Sequence, residues 1–261
     1  MNVGLVILYS ILALFGFMTI AFIVGTIKKN NGLVDGFYGL GYVVLIVTAF
    51  ILNSSFEPRQ IVATLLVVIW GIRLATYVFQ RNIGKPEDYR YQEMRERWED
   101  NVILKSFLRI YMFQGIIIMI VASPVFYTNV VDNPALQWSD FVGIGLWTFG
   151  FYFEAVGDYQ LKQFKEDPAN KGKVLDQGLW KYTQHPNYFG EVTQWWGLYI
   201  IATAVPFGFI TIFGPITITY LIIKVSGIKL LEKHFDGHDK YAEYKKKTSV
   251  FIPWFPKKNK S

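Results

Sequence analysis

The densest concentration of polar chemistry in the chain is the run His185-Pro186-Asn187-Tyr188-Phe189-Gly190-Glu191. It opens an apolar, Trp-rich segment. In hydrocarbon an imidazole, a carboxamide, a phenol and a carboxylate are costly unless they line a cavity or hold a ligand, so these are functional candidates. Upstream, Glu154 and Asp158 stand at i, i+4 spacing, and Lys162 continues the stripe. Two carboxylates so spaced repel one another unless something lies between or beside them. The stripe is either a solvated helix end with Lys162 as partner, or a polar wall for a cofactor's ribose or amide groups.

Asp35 falls just inside another apolar segment, in Val34-Asp35-Gly36-Phe37-Tyr38. A carboxylate facing lipid there costs about 2.5–3.5 kcal/mol. Either it reaches interfacial water, or Asp35 and Tyr38 share a helix face toward a cavity. In a cavity, burial pushes a carboxyl toward its protonated form, which can donate to a carbonyl. Arg73, Tyr77 and Arg81 follow at helical spacing in the next apolar segment. Arg81 can snorkel, whereas the deeper Arg73 calls for a pocket or an ion pair.

Lys162, Lys165, Lys171, Lys173 and Lys181 share one loop. Most satisfy membrane topology, and a subset can contact phosphates. No phosphate loop or Gly-x-Gly-x-x-Gly fingerprint is present, and Gly39 and Gly41 read as packing residues of a span. His234 and His238 have zinc-compatible spacing, but His-Glu-x-x-His is missing and Gly237 weakens the helix, so no metal is expected. The tail Tyr241-x-x-Tyr244 with Lys245, Lys246 and Lys247 either lies on anionic lipid or closes over a nucleotide.

The elements that must position these residues are apolar helices. The chain is 52% hydrophobic and 18% aromatic, with its apolar residues in long blocks. The absence of cysteine excludes thiolate chemistry and disulfides. The net charge of +6 sits between apolar blocks, which argues against nucleic acid as a partner. The expected fold is all-α, a polytopic membrane protein with seven transmembrane helices near 3–27, 33–53, 60–79, 107–127, 139–160, 188–204 and 207–228. The last two share a stretch broken near Pro206 and Gly208. The first span is too long for a simple signal peptide. Lysine and arginine concentrate in loops 28–32, 80–106 and 161–187 and in the tail after 228, while the opposite loops hold only Arg59. This places the N-terminus outside and the C-terminus in the cytoplasm. One membrane domain over 1–261 is expected, with a cofactor-binding part at 154–256 and the 80–106 loop.

Gly178-Leu179-Trp180-Lys181-Tyr182-Thr183-Gln184, continuing through the His185–Glu191 run to Gln194-Trp195-Trp196-Gly197, resembles the signature of the steroid 5-alpha-reductase-like membrane family, in its mostly bacterial branch. Asp158-Tyr159-Gln160-Leu161-Lys162 with Lys165, and Phe251-Ile252-Pro253 downstream, fit the same pattern. The likeness spans about residues 33–256 and is strongest over 154–197. It implies a seven-helix fold with NADPH entering from the cytosol. It implies a cofactor pocket lined by Arg81, Asp158, Lys162, Lys165, Lys173, Tyr182, His185, Asn187, Glu191, Lys229 and Tyr244. Asp35 takes the place of the family's substrate-end carboxyl. The family's tyrosine, three positions before the helix arginine, is here Trp70, and Tyr38 is its candidate substitute.

The implied reaction is hydride transfer to a lipid-like enone, steroid-like or isoprenoid-like, with the carbonyl polarised by Asp35 and Tyr38. The implied site opens to the cytoplasm, from a bacterial cytoplasmic membrane. An S-adenosylmethionine-dependent methyltransferase is the alternative, since isoprenylcysteine carboxyl methyltransferases carry a similar His-Pro-x-Tyr-x-Gly element. A non-enzymatic lipid-binding protein is the second alternative.

Overall fold

A computed structural model describes residues 1–82, 84–98, 100–131, 134–228 and 239–257. Helices dominate; among the described residues there is no strand, only an isolated bridge between Thr183 and Ser249. The helices are α1 (Val3–Ile27), α2 (Val34–Asn53), α3 (Pro58–Asn82), α4 (Tyr89–Trp98), α5 (Val102–Val121), α6 (Ser123–Val130), α7 (Trp138–Glu166), α8 (Pro186–Ala202), α9 (Gly208–Ser226) and α10 (Asp239–Lys247). A π-helical segment interrupts α5 at Phe107–Met112 and ends α9 at Leu221–Ser226.

Five helical segments are long and apolar enough to cross a membrane: Val3–Ile27, Asn31–Asn53, Pro58–Asn82, Val102–Val121 and Gly208–Ser226. At 1.5 Å per residue, about 20 residues cover the hydrocarbon core. The chain is an integral membrane protein. The other two expected spans are also helices, but they differ from this pattern. The 29 residues of α7 carry Glu154, Asp158, Lys162 and Lys165, and α8 has only 17 residues, Glu191 among them. The expected 107–127 span also ends early. Pro124, which has no N–H to continue the ladder, starts a separate helix α6. The break around Pro206 and Gly208 falls where the sequence places it, between Ala202 and Gly208.

The chain forms two compact units. The first contains residues 1–137 and 201–214. Its helices α2 and α3 touch backbone to backbone: a methyl built on Gly39 would sit 2.5 Å from the Gly71 carbonyl oxygen. Gly41 likewise faces Ile118. Around this crossing pack Tyr42, Leu45, Ile46, Val67 and Trp70, all buried. Arg59, also buried, donates to the carbonyls of Pro134 and Ala135 at 2.8 and 2.9 Å.

The second unit contains residues 138–200 and 215–261. Here α7 and α8 run antiparallel with glycine at every close point. Gly143 faces Gly197, Gly150 faces Gly190, and Gly157 faces Pro186 and Asn187. The glycines stand seven residues apart on each helix, two helical turns, so all fall on one face. A methyl on Gly150 would lie 2.6 Å from the Gly190 oxygen, and one on Gly197 would lie 2.7 Å from the Gly143 oxygen.

Gly150→Ala therefore should destabilise the protein by about 1–3 kcal/mol, because neither backbone can give way. Gly145 lies on the same helix with nothing within 4 Å of an added methyl. Gly145→Ala should be neutral or stabilising. Thermal unfolding of both variants in one detergent checks the contrast.

Candidate functional site

In the second unit the α7–α8 contact sets polar groups against one another. Glu154 and Asp158 are each only 3% exposed. Gln194 donates to Glu154 Oε2 at 2.5 Å, and Asn187 donates to Asp158 Oδ1 at 3.0 Å. The reading of this stripe as a solvated helix end does not hold. Lys162 reaches instead to Glu166, at 4.0 Å on the surface, a pair worth little there.

The loop from α7 to α8 is held by α7 itself. Gly178 takes a left-handed conformation (φ +59°), and a side chain there would collide with Gln160. Gln160 Oε1 instead accepts from Leu179 N–H at 3.0 Å, and Trp180 Nε1 donates to the Gly157 carbonyl at 3.1 Å. The chain then reaches buried Thr183, Gln184 and His185 before Pro186 starts α8, the position where a missing N–H costs nothing.

The C-terminal tail closes over this loop. Gln184 N–H donates to the Ser249 carbonyl (2.9 Å), Gln184 Nε2 to the Thr248 carbonyl (2.8 Å), and Thr183 Oγ1 to the Phe251 carbonyl (2.8 Å). Trp254 N–H donates to the Tyr182 carbonyl at 2.9 Å. Tyr244 Oη donates to the Trp180 carbonyl at 2.5 Å. Burial, then the neighbouring Tyr241 and Asp176, raises the Tyr244 pKa.

Between loop and tail lies a cavity of about 460 Å³, within the usual range for small-ligand sites. Its apolar wall includes Leu161, Phe164 and Trp180, its cations are Lys165, Lys171 and Lys173, its acidic side chain is Asp167, and Gln184, His185, Tyr241 and Tyr244 also line it. The His185 ring stacks on Tyr188, 5.5 Å between centroids. Gln184 is 2% exposed, and its Oε1 is buried without a hydrogen-bond partner among the described residues. The Oε1 of Gln194 and the Oδ1 of Asn187 are in the same condition.

Of the residues predicted for a cofactor pocket, Lys165, Lys173, His185 and Tyr244 line this cavity. Asp158 and Asn187 form the pair beneath the loop, and Glu191 is half-buried on α8. Tyr182 is 36% exposed and packs its ring on Phe255. Arg81 belongs to the first unit, exposed, with its guanidinium 5.9 Å from the Tyr77 ring. Lys229, His234 and His238 lie outside the described residues. Sequence reasoning passed over Gln184 as a lining residue; its signal was position alone, beside His185. Tyr241 was read as part of a tail that lies on lipid or closes over a nucleotide, and it lines the cavity.

In the first unit Asp35 accepts two bonds. Arg90 Nη2 lies 3.0 Å from its Oδ2, and Tyr91 Oη donates to its Oδ1 at 2.7 Å. Asp35 is thus placed as an acceptor and charge partner, not as the donor that an isolated buried carboxyl would be. Arg90 also pairs with Asp88, at 2.9 Å. Burial works against the charge on Arg90, but Asp88 and Asp35 outweigh it and raise its pKa. Burial likewise opposes ionisation of Asp88, yet its bonds from Arg90 lower its pKa overall. Tyr91 is raised by burial and then by Asp35. Glu87 adds a second tie, accepting from Asn31 N–H at 2.6 Å and pairing with Arg95 at 2.8 Å. Further along α2, Tyr42 donates to Tyr38 Oη at 2.6 Å, and both rings meet Trp70 edge-on, at 5.2 Å for Tyr42 and 6.4 Å for Tyr38. Tyr38 thus stands beside Trp70.

The DUF1295 family, described as a protein of unknown function, matches residues 21–248. The chain belongs to this family. Its curated relatives include 3-oxo-5-alpha-steroid 4-dehydrogenase 1 of Rattus norvegicus, 24% identical over 112 residues, and the proteins of the same name from Bos taurus (28% over 112) and Homo sapiens (28% over 113). Each alignment covers 43% of this chain and 40% of the relative. The chain thus spans about two fifths of the length of these relatives. No solved structure matches significantly. The likeness to steroid 5-alpha-reductases read from the Gly178–Gly197 segment is borne out at the level of family.

Tyr244→Phe should lower stability by about 0.5–1.5 kcal/mol at neutral pH, because the Trp180 carbonyl loses its partner. An unfolded tyrosine ionises near pH ~10, and folded Tyr244 holds its proton to higher pH. Its stabilisation is complete below that value and is lost as pH rises through the raised folded value. The variant should therefore show a shallower alkaline decline in melting temperature than the parent.

Proposed function

We propose that this protein is a membrane-embedded, NADPH-dependent reductase of a lipid-like enone. The cavity beside the His185–Glu191 run, with three lysines and one acidic side chain in its wall, carries this reading. The 3-oxo-5-alpha-steroid in the name of its relatives supports the substrate class.

The residues present fit the cofactor. Lys165, Lys171 and Lys173 outnumber Asp167 around the cavity, which favours a phosphorylated ligand over one carrying a sulfonium cation. A buried acceptor without a partner costs about 1–3 kcal/mol. Gln184 Oε1 is such an acceptor in the cavity wall, suited to an amide or hydroxyl donor of the ligand. Glu154 and Asp158 fix the carboxamides of Gln194 and Asn187, so these present their oxygens in set directions. Bound there, NADPH would supply a hydride to the β carbon of the enone. In the first unit, Tyr38 shares a hydrogen bond with Tyr42, and in this reading its phenol is the acid toward the substrate carbonyl. Asp35, held by Arg90 and Tyr91, places negative charge at the head of the same helix. The seven-span topology with a cytoplasmic site belongs to this proposal, with α7 and α8 as the two additional crossings.

Native-state binding raises the melting temperature by mass action. NADPH should stabilise the purified protein, and NADH should do so less. Lys165→Gln and Lys173→Gln should each weaken NADPH binding by about tenfold at low salt and less at high salt. Stabilisation by S-adenosylmethionine alone would instead make this a methyltransferase. Asp35→Asn should lower turnover of an enone while leaving NADPH binding unchanged.

A further inference from the structure

The tail from α10 onward is used only in part by the cavity. Tyr241 and Tyr244 face inward, and residues 248–254 bond to the loop at 182–185. Other tail side chains face outward. Lys257 N–H donates to the Lys247 carbonyl at 2.9 Å, so residues 247–257 form a loop closed at its neck. At its outer edge Ile252 is 65% exposed, Trp254 70% and Phe255 76%. Lys246, Lys247 and Lys257, all exposed, stand at the neck.

Three adjacent large apolar side chains bare to water are an unfavourable surface unless something covers them. The composition points to the occupant. Tryptophan and phenylalanine with neighbouring lysines match a bilayer's headgroup layer, where an aromatic ring enters the acyl boundary and a lysine meets an anionic headgroup. In an integral membrane protein that layer is always near. The lysines complement anionic lipid, each strengthening attachment to it by about fivefold.

We infer that the 247–257 loop is an anionic-lipid anchor, with Ile252, Trp254 and Phe255 entering the interface and Lys246, Lys247 and Lys257 held at the headgroups. The anchor has a consequence for the cavity. The loop's other edge is bonded to Thr183 and Gln184, and the helix before it supplies Tyr241 and Tyr244. Lipid contact therefore fixes one wall of the cavity in place.

The test uses the full chain in vesicles of phosphatidylcholine, with or without about one third phosphatidylglycerol. The acyl chains are brominated in one set of each composition. The contribution of Trp254 is the difference in fluorescence between the parent and Trp254→Phe. Brominated lipid should quench that contribution in phosphatidylglycerol vesicles and much less in phosphatidylcholine alone. Lys246→Gln with Lys247→Gln should remove the difference between compositions, as should high salt. Absence of quenching in both compositions would overturn the anchor. Equal quenching in both would overturn its anionic selectivity. A Trp254 signal that follows protein density instead of lipid composition would assign the patch to a second copy of the chain.

Discussion

The backbone contact between α7 and α8 is the constraint on which the candidate site depends. Glycines at 143, 150 and 157 on one helix meet 190, 197 and the Pro186 start of the other. Because no Cβ intervenes, the helix axes come close enough for short carboxamides to reach carboxylates. Glu154 meets Gln194 and Asp158 meets Asn187 only at this separation. A wider crossing would take these carboxamide donors out of reach of two buried carboxyl groups, and a lost hydrogen bond to a buried group is costly. Gly157 has a second role, since its carbonyl takes the Trp180 indole that anchors the following loop. Packing and polar chemistry are thus one arrangement: the same face that omits side chains for contact places side chains for function one turn away.

The first unit handles its buried charge differently. Asp35 does not find its partners within the spanning helices. They come from α4, a polar helix outside the spans, whose Arg90 and Tyr91 reach back to the start of α2. Asp88 pairs with Arg90 and Glu87 with Arg95, which fasten the preceding loop to α4, and Glu87 also accepts from Asn31 N–H just before α2. This leaves Tyr38 and Tyr42 as the deeper polar groups of α2, joined by their own hydrogen bond beside Trp70. The gradient from the charge at the head of α2 to its two phenols and the neighbouring α3 indole suits a substrate with a single polar end and an apolar body.

Much of this was legible in the sequence. Apolar block length located the five long spans, and the Gly178–Gly197 run identified both the family and the segment that builds the cavity. Lys165, Lys173, His185 and Tyr244 were placed in one site and do line one cavity. The glycine register of α7 and α8 was equally present but was not read, because a seven-residue spacing of glycines looks like nothing until a second helix with the same spacing faces it. Partners distant in sequence were the other gap. Arg90 and Asp35 are 55 residues apart, and no local pattern pairs them. Glu154 and Asp158 left two readings open, and their burial against α8 removes the solvated helix end. Tyr182 shows the reverse case: it lies in the signature segment, yet its ring turns outward to Phe255.

The central claim is that the space between the α7–α8 loop and the C-terminal tail receives NADPH. Hydrogen exchange of the full chain in detergent, with and without NADPH, tests it most directly. The account predicts slower exchange over residues 161–185 and 239–248 with NADPH, and no change there with S-adenosylmethionine. Protection confined to other segments, or protection of these segments by S-adenosylmethionine alone, would contradict it.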